Sequence, residues 1–157
     1  MSELIEKAYL EAVDKINEEW FSGADSRWYE YIINMPIHLQ VAYMVMILHN
    51  QVLNGGFHQY FVNKYGQFVG RTAKYLRLIG ADEKANILIE AFNIVNYEKL
   101  DEQSFRIALL EGRIKKLFVT DELFDALDEA DKKYDDSNED LVELLNSYLE
   151  GVGSYGS

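Results

Sequence analysis

The carboxylates in the C-terminal quarter of the sequence are the side chains with the most distinctive chemical pattern. Residues 121–157 contain 12 acidic side chains and only two basic ones, Lys132 and Lys133. Residues 1–120, in contrast, contain 15 acidic and 13 basic side chains. The C-terminal quarter therefore carries −10 of the net charge of −12. Negative charge concentrated in this way favours a basic partner.

Part of this charge follows the period of a helix. Asp121, Asp125 and Asp128 recur about once per helical turn, which predicts side chains ~5–6 Å apart along one face. Each strand of duplex DNA presents one charge per ~3.4 Å, so both are regular anionic arrays. Such a helix could take the place of phosphates on a DNA-binding protein, although an ordinary solvated helix face fits the same residues. The candidate protein-binding acids are Asp121, Glu122, Asp125, Asp128, Glu129, Asp135, Asp136, Glu139 and Asp140.

Charge and hydropathy also limit the kinds of partner. A net charge of −12 opposes direct binding to nucleic acid or to an anionic membrane. The longest wholly apolar run, residues 41–48, is far shorter than the ~20 residues needed to span a bilayer. The N-terminal segment is acidic and amphipathic, unlike a secretory signal, so a cytoplasmic location is expected by default. The sequence sets no oligomeric state.

Motifs for catalysis or metal binding are weak. The sequence has no cysteine, and therefore no thiol nucleophile. His38 and His49 are eleven residues apart and share one helix face, but this spacing is not specific for a metal. The acidic stretch at 136–140 lacks a calcium loop's glycine and glutamate, because Leu141 and Ser147 stand at those positions. We therefore predict no catalytic residue, no metal site and no cofactor.

A second polar group lies in residues 54–66, after the apolar run at 41–48. Gly55 and Gly56 should end a helix, and one of them is expected to have a positive φ. Gln59 and Asn63 are four residues apart and share a face of the helix that follows. Their amides are expected to bond to backbone groups at the two helix ends. A ligand site built from the same amides is the alternative.

Apolar periodicity predicts helices along the whole sequence and no strand. The fold class is all-α: a single compact domain, residues 1–157, with about seven or eight helices around the buried run at 41–48. The predicted helices cover residues 2–20, 36–53, 57–65, 67–79, 82–96 and 101–118, with two acidic C-terminal helices in 120–150. Residues 21–34 are expected to form an aromatic connector, and the tail at 151–157 is expected to be frayed.

Helix boundaries and faces follow from local chemistry. Asp82 and Thr120 are expected to cap the helices that follow them, and Ser137 to begin a capping box for the last helix. Gly112 is a possible break in the helix at 101–118. Phe124 shares the apolar stripe of its helix and is expected to face the core.

The segment around Gly55 and Gly56, which we call the glycine corner, carries a resemblance to a known family. The motif consists of Asn54, Gly55, Gly56, Phe57, Gln59, Tyr60, Phe61 and Asn63, with Leu-Ile-Gly-Ala following at 78–81. It resembles the signature of a bacterial, once-uncharacterised family named for a DNA-mimic protein. The similarity covers about 36–91, and more loosely the C-terminal helices. It implies an all-helical fold and an acidic surface that occupies a transcription factor's DNA site. Gln51 stands nearest the place of an acidic residue in that family.

Two other functional classes are also consistent with the sequence. An immunity or inhibitor protein against a basic toxin or nuclease needs the same acidic face. An enzyme using the corner formed by Asn54, Gln59 and Asn63 is the other alternative, and a polar pocket there would favour it. Carboxylates spread over a convex surface would favour mimicry. The expected partner is a basic, DNA-binding protein.

Overall fold

Helix α3 is the central element, because its middle residues are apolar on every side. The computed structural model describes residues 2–22 and 25–156, and α3 runs through Ile37–Val62 with a break at Gly55 and Gly56. Every residue from 39 to 48 is buried. This confirms the predicted central helix. Pro36 precedes it, and its φ of −50° suits a helix start.

The remaining elements are also helical. They are α1 Glu3–Val13, α2 Arg27–Ile33, α4 Val69–Leu78, α5 Asp82–Val95, α6 Glu102–Leu110, α7 Lys115–Phe118, α8 Glu122–Asp136 and α9 Leu141–Gly156, with 3₁₀ turns at Glu18–Phe21 and Tyr65–Phe68. The described residues contain no strand, and all the helices except the one-turn α7 have seven residues or more. The all-α fold class is therefore confirmed. Within residues 2–22 and 25–156, no helix has both the length and the apolar character to cross a bilayer.

Helices α4 and α8 each pack against both α3 and α5. Helix α3 contacts α1, α4, α8 and α9, while α5 contacts α4 and α8. Helix α8 thus lies against both α3 and α5 along one side. Its buried residues are Leu123, Leu127, Ala130 and Tyr134. The opposite side of α8, which carries most of its acids, faces solvent.

The N-terminal region differs from the prediction of one helix over residues 2–20. Helix α1 ends at Val13, and the Asn17 side chain accepts a hydrogen bond from Glu19 N that starts a separate 3₁₀ turn. The expected connector at 21–34 contains a helix, α2. Trp28 and Ile32 are four residues apart and both buried, so they anchor α2 in the core.

The last helix extends beyond its predicted end. Helix α9 continues past residue 150 to Gly156, so the frayed tail is corrected; Ser157 lies outside the described residues. Packing against α1 accounts for part of the extension. Leu149 is buried, and Val152 and Gly153 line a cleft against α1 with Leu4 and Ala8. Tertiary contact thus offsets the low helix propensity of the glycines.

Two helix starts use caps other than the predicted ones. No Asp82 side-chain cap forms at α5; the Glu139 carboxylate accepts hydrogen bonds from Glu83 N and Lys84 N instead. Ser137 accepts only from Glu139 N, two residues on, and therefore makes no capping box. Asp140 starts α9 by accepting a hydrogen bond from the N–H at residue 143, at 3.1 Å.

The start of α8 also differs from the prediction, whereas the break at Gly112 agrees with it. Asp121, not Thr120, is the N-cap of α8 and makes no side-chain cap hydrogen bond; Thr120 Oγ1 accepts only from Glu122 N, two residues on, at 3.3 Å. The region 101–118 is divided into α6 and α7, and Gly112 between them has a φ of +67°. The predicted break at Gly112 is therefore confirmed.

Candidate protein-binding surface on helix α8

The acids predicted from the spacing are on the outer side of α8 and at the turn that follows it. Eight of the nine are exposed, and Glu139 is half-buried. We use the term acidic face for the exposed members on α8 itself: Asp121 at its N-cap, then Glu122, Asp125, Asp128, Glu129, Asp135 and Asp136. Because the apolar side of α8 is fixed against α3 and α5, these carboxylates are presented together to solvent.

Lysines neutralise the acidic face only in part. Lys132 Nζ lies 3.2 Å from an Asp128 carboxylate oxygen, and Lys116 Nζ lies 3.8 Å from Glu122. Lys133 is paired with Glu90 on α5 at 2.8 Å. Exposed pairs of this type contribute ~1 kcal/mol or less, so they restrain the carboxylates weakly. In the described part of the chain, no ion pair within 4 Å joins the remaining acids of the face, Asp121, Asp125, Glu129, Asp135 and Asp136.

The two candidate acids in the α8–α9 turn have structural roles. Glu139 caps α5 through hydrogen bonds of 3.0 Å to Glu83 N and 2.6 Å to Lys84 N, where the partial positive charge of a helix N-terminus favours a carboxylate. Asp140 caps α9. The turn therefore holds the end of α8 against α5, and these carboxylates have internal partners.

The Glu139 carboxylate, besides capping α5, favours the charged form of the buried Lys84. Its side chain is 3% exposed, and Nζ donates to the Tyr134 carbonyl at 3.0 Å and lies 4.4 Å from the Tyr134 ring centre. Burial lowers the pKa of Lys84, and the Glu139 charge opposes that shift. The Tyr134 hydroxyl also bonds to His49 Nδ1, at 2.8 Å. This buried polar group connects α3, α5 and α8.

Asp131 is an acid of α8 with a structural role that the spacing of the acids did not predict. Its Oδ1 accepts a hydrogen bond from Phe57 N at 2.8 Å, so an acid of α8 caps the second half of α3. Burial raises the pKa of the Asp131 carboxyl, and the Phe57 N–H opposes that shift. Asp131 stands four residues after Leu127 and three before Tyr134, both of them buried. Helical periodicity could therefore have separated it from the exposed acids.

The glycine corner has the predicted backbone conformation. Gly56 has φ +75°, whereas Gly55 has φ −148° and ψ 17°, and together they break α3. A Cβ on Gly56 would collide with the Asp131 carboxylate, and one on Gly55 with the Gln59 side chain. Glycine is thus required at Gly56 both by backbone conformation and by the close approach of α8.

The amides at the corner bond to one another. Gln59 Nε2 and Asn63 Nδ2 both donate to Gln51 Oε1, at 3.0 and 2.9 Å, and Asn54 Nδ2 donates to Gln59 Oε1 at 3.1 Å. The expectation that Gln59 and Asn63 cap backbone groups is therefore wrong for the described structure. The side chain that caps the corner is Asp131, which comes from a residue distant in sequence.

The aromatic residues of the motif are part of the core. Phe57, Tyr60 and Phe61 are buried, and the Phe57 ring lies edge-on to the Tyr134 ring with centres 5.8 Å apart. The corner thus contacts α8 through both a hydrogen bond and a ring pair. Within the motif, these residues join α3 to the helix that carries the acidic face.

His58 and Phe124 form a ring stack at the edge of that contact. Their ring centres are 3.9 Å apart with planes 17° from parallel, and Phe124 is 47% exposed. The prediction that Phe124 faces the core is therefore wrong. It follows the buried Leu123 by one residue, a rotation of ~100° that places it at the border of the apolar stripe.

Comparisons with known proteins give a family and no individual relative. No curated protein and no solved structure matches the chain. A family model described as DMP19-like protein matches residues 33–152, about three quarters of the sequence, including both the glycine corner and the acidic face. The match therefore covers the C-terminal helices as well as the motif at 54–63. On this evidence the chain belongs to the DMP19-like protein family.

Proposed function

We propose that the protein is an acidic protein-binding module that occupies the DNA-binding surface of a basic protein, such as a transcription factor, in place of DNA. The observation that carries this proposal is the row of exposed carboxylates along one side of α8. The family description supports it, because the family is named for a DNA-mimic protein. The site consists of the acidic face, with Glu139 and Asp140 supporting it from the turn.

The internal contacts of α8 make the acidic face a suitable template. Asp131 fixes the middle of α8 to the glycine corner, and Tyr134 fixes its C-terminal part through His49 and Lys84. Carboxylates held on a packed helix lose less conformational freedom on binding than carboxylates on a mobile segment. A regular anionic surface that is already ordered is what a phosphate-binding surface can accept.

Electrostatics should govern the association. Clustered charges attract a basic partner over distances comparable to the Debye length, about 8 Å at physiological ionic strength. The binding should therefore be fast at low salt and weaken as salt is added. The lysine pairs at Asp128 and Glu122 make the likeness to a DNA strand partial, so the face should bind where several basic side chains are clustered.

The test compares two triple variants with equal changes in charge. One is Asp121→Asn, Asp125→Asn and Asp128→Asn on the acidic face; the control is Glu3→Gln, Glu6→Gln and Glu11→Gln on the exposed side of α1. A partner is first isolated from the native host on the immobilised parent protein and eluted with salt or duplex DNA. Each variant is then titrated against it at about 0.05 M and about 0.3 M salt.

We expect the acidic-face variant to bind about tenfold more weakly at low salt, because each exposed charge pair contributes up to ~1 kcal/mol. The α1 control should bind like the parent, and DNA should displace both. Equal affinity of the parent and the acidic-face variant, or simultaneous binding of DNA and this protein to one partner site, would refute the proposal. A partner blocked in nuclease or toxin activity would instead assign the acidic face to an inhibitor.

A further inference from the structure

Phe124 is an exposed aromatic ring within the acidic face. Its side chain is 47% exposed on a helix whose other large apolar residues are buried. A phosphate-like array needs no aromatic ring, so simple charge mimicry does not explain this residue. Aromatic residues, phenylalanine included, are enriched at the cores of protein interfaces relative to the rest of the surface.

The ring of Phe124 is held in place by His58. The two rings are stacked at 3.9 Å between centres, with a 17° angle between planes. His58 Nε2 is itself buried, and no hydrogen-bond partner for it occurs within the described residues. Because His58 covers one face of the Phe124 ring, the solvent-exposed surface of Phe124 lies on the remainder of the ring. The contact with His58 therefore restricts the positions that the Phe124 ring can adopt before any partner binds.

Carboxylates flank this ring along α8. Asp121 stands one turn before Phe124 and Asp128 one turn after it, while Asp125 follows directly. Asp121 is near enough to interact electrostatically with His58 beneath the ring, and all three carboxylates are exposed. The site thus combines an accessible aromatic surface with anionic hydrogen-bond acceptors on both sides of it.

We propose that Phe124, with Asp121, Asp125 and Asp128, forms a receptor for an arginine side chain of the basic partner; this inference rests on the proposed function. A guanidinium group is planar and stacks on an aromatic ring, while its N–H donors form paired hydrogen bonds with carboxylates. A lysine ammonium group offers charge without the flat surface.

Charge complementarity selects this occupant over others. Lys132 partly neutralises Asp128 at 3.2 Å and Lys116 pairs with Glu122 at 3.8 Å, whereas among the described residues no ion pair within 4 Å joins Asp121 or Asp125. Arginine, like lysine, pairs with the O6 and N7 atoms of guanine in the major groove, and arginine also forms paired hydrogen bonds with phosphate groups. A surface that binds DNA therefore presents the group that this site is built to receive.

The experiment uses two synthetic probes of equal charge, a nonamer of arginine and a nonamer of lysine, titrated by fluorescence anisotropy. They are tested on the parent, on Phe124→Ala, and on Phe124→Leu, which keeps apolar volume and removes the ring. Phe21→Leu is the matched control, because Phe21 is 43% exposed and lies outside α8. Circular dichroism confirms that each variant is folded.

The parent should prefer the arginine peptide by about three- to fivefold, the contribution of an exposed cation–π contact. Phe124→Leu and Phe124→Ala should lose that preference, because removal of the ring weakens binding of the arginine peptide more than binding of the lysine peptide, and Phe21→Leu should keep it. Equal affinity of the parent for both peptides, or a preference that persists without the Phe124 ring, would overturn this inference.

The acidic-face triple variant separates this inference from the proposed function. If that variant weakens binding of both peptides but the parent shows no arginine preference, the receptor is refuted and the acidic face remains. If the triple variant binds both peptides as tightly as the parent does, the receptor and the acidic face are refuted together. Weaker binding of both peptides together with an arginine preference that depends on Phe124 supports both.

Discussion

The glycine corner and the acidic face use similar polar groups in opposite ways. At the corner, the amides of Gln51, Asn54 and Gln59 bond to one another, and the partly buried backbone N–H of Phe57 is capped from α8. On the acidic face, most carboxylates extend into solvent or join weak ion pairs. The polar groups of the corner are thus hydrogen-bonded within the protein, while the carboxylates of the acidic face remain accessible to a partner.

The same contrast occurs within α8 itself. Asp128 and Asp131 are three residues apart, yet Asp128 is exposed and Asp131 is half-buried on the Phe57 N–H. Residue type and helix are the same, so the difference lies in which face of α8 each side chain occupies. Acidic residues on one helix can therefore serve folding and recognition separately, and substitutions should separate the two roles.

The largest expected effect is at Gly56. Gly56→Ala should reduce the free energy of unfolding by at least ~2 kcal/mol, because a Cβ at φ +75° is strained and would displace the Asp131 carboxylate. Urea denaturation followed by circular dichroism measures the change. Gly151→Ala is the control, because Gly151 is exposed in α9 with open space beside it. It should be neutral or stabilising by up to ~1 kcal/mol. Equal stability of Gly56→Ala and the parent would contradict both the positive φ at Gly56 and the close approach of Asp131.

The next effect compares the two acids of α8. Asp131→Ala should destabilise the fold by ~1–2 kcal/mol, because it leaves the partly buried Phe57 N–H without its acceptor. Asp128→Ala should change stability by no more than ~0.5 kcal/mol, because that carboxylate is exposed. Thermal melting of both variants provides the measurement. Similar losses for the two substitutions would remove the distinction between structural and exposed acids on this helix.

Substitution of Glu139 should reduce stability, as at the corner, rather than binding, as on the acidic face. Glu139→Ala removes the cap of α5 and a charge near Lys84, and should cost ~1 kcal/mol of stability. Asp136→Ala, which removes an exposed acid three residues earlier, should be close to neutral. Chemical denaturation of the pair, with peptide binding measured in parallel, tests both roles. If Glu139→Ala were as stable as the parent but bound the peptides much more weakly, Glu139 would belong to the recognition surface instead.

The smallest expected effect is on pH dependence. Burial lowers the pKa of His49 and of His58 below 6.5, although nearby carboxylates such as Asp121 oppose the shift at His58. The unfolded chain therefore binds more protons as the pH falls below about 6.5, so the free energy of unfolding should decrease there. Burial of Asp131 raises its pKa and gives the opposite slope at lower pH.

Denaturation titrations between pH 7.5 and pH 5 measure this dependence. His58→Leu, which retains apolar contact with Phe124, should show a smaller decrease than the parent over the same range. Replacing His58 removes only one of the two titrations, so His49 should still contribute. An identical pH profile for His58→Leu and the parent would show that His58 does not contribute.

The sequence by itself determined the all-α fold class, the buried run at 41–48 and the side of α8 on which most acids lie. These follow from local rules, because helical periodicity and glycine conformation depend on residues close in the chain. The positive φ at Gly56 and the break at Gly112 were predictable for the same reason.

Only the tertiary structure decided which carboxylates are structural. Asp131 accepts a hydrogen bond from a backbone N–H 74 residues earlier in the chain, and Glu139 accepts from two that are 55 and 56 residues earlier; no local pattern specifies such pairings. Local rules instead suggested Asp82 and Ser137 as caps, because a nearby polar side chain is the commonest solution. The exposure of Phe124 was decided in the same way, by how closely α8 packs against α3 beside His58. Contacts between distant segments depend on the packing of whole helices, which short-range spacing does not contain.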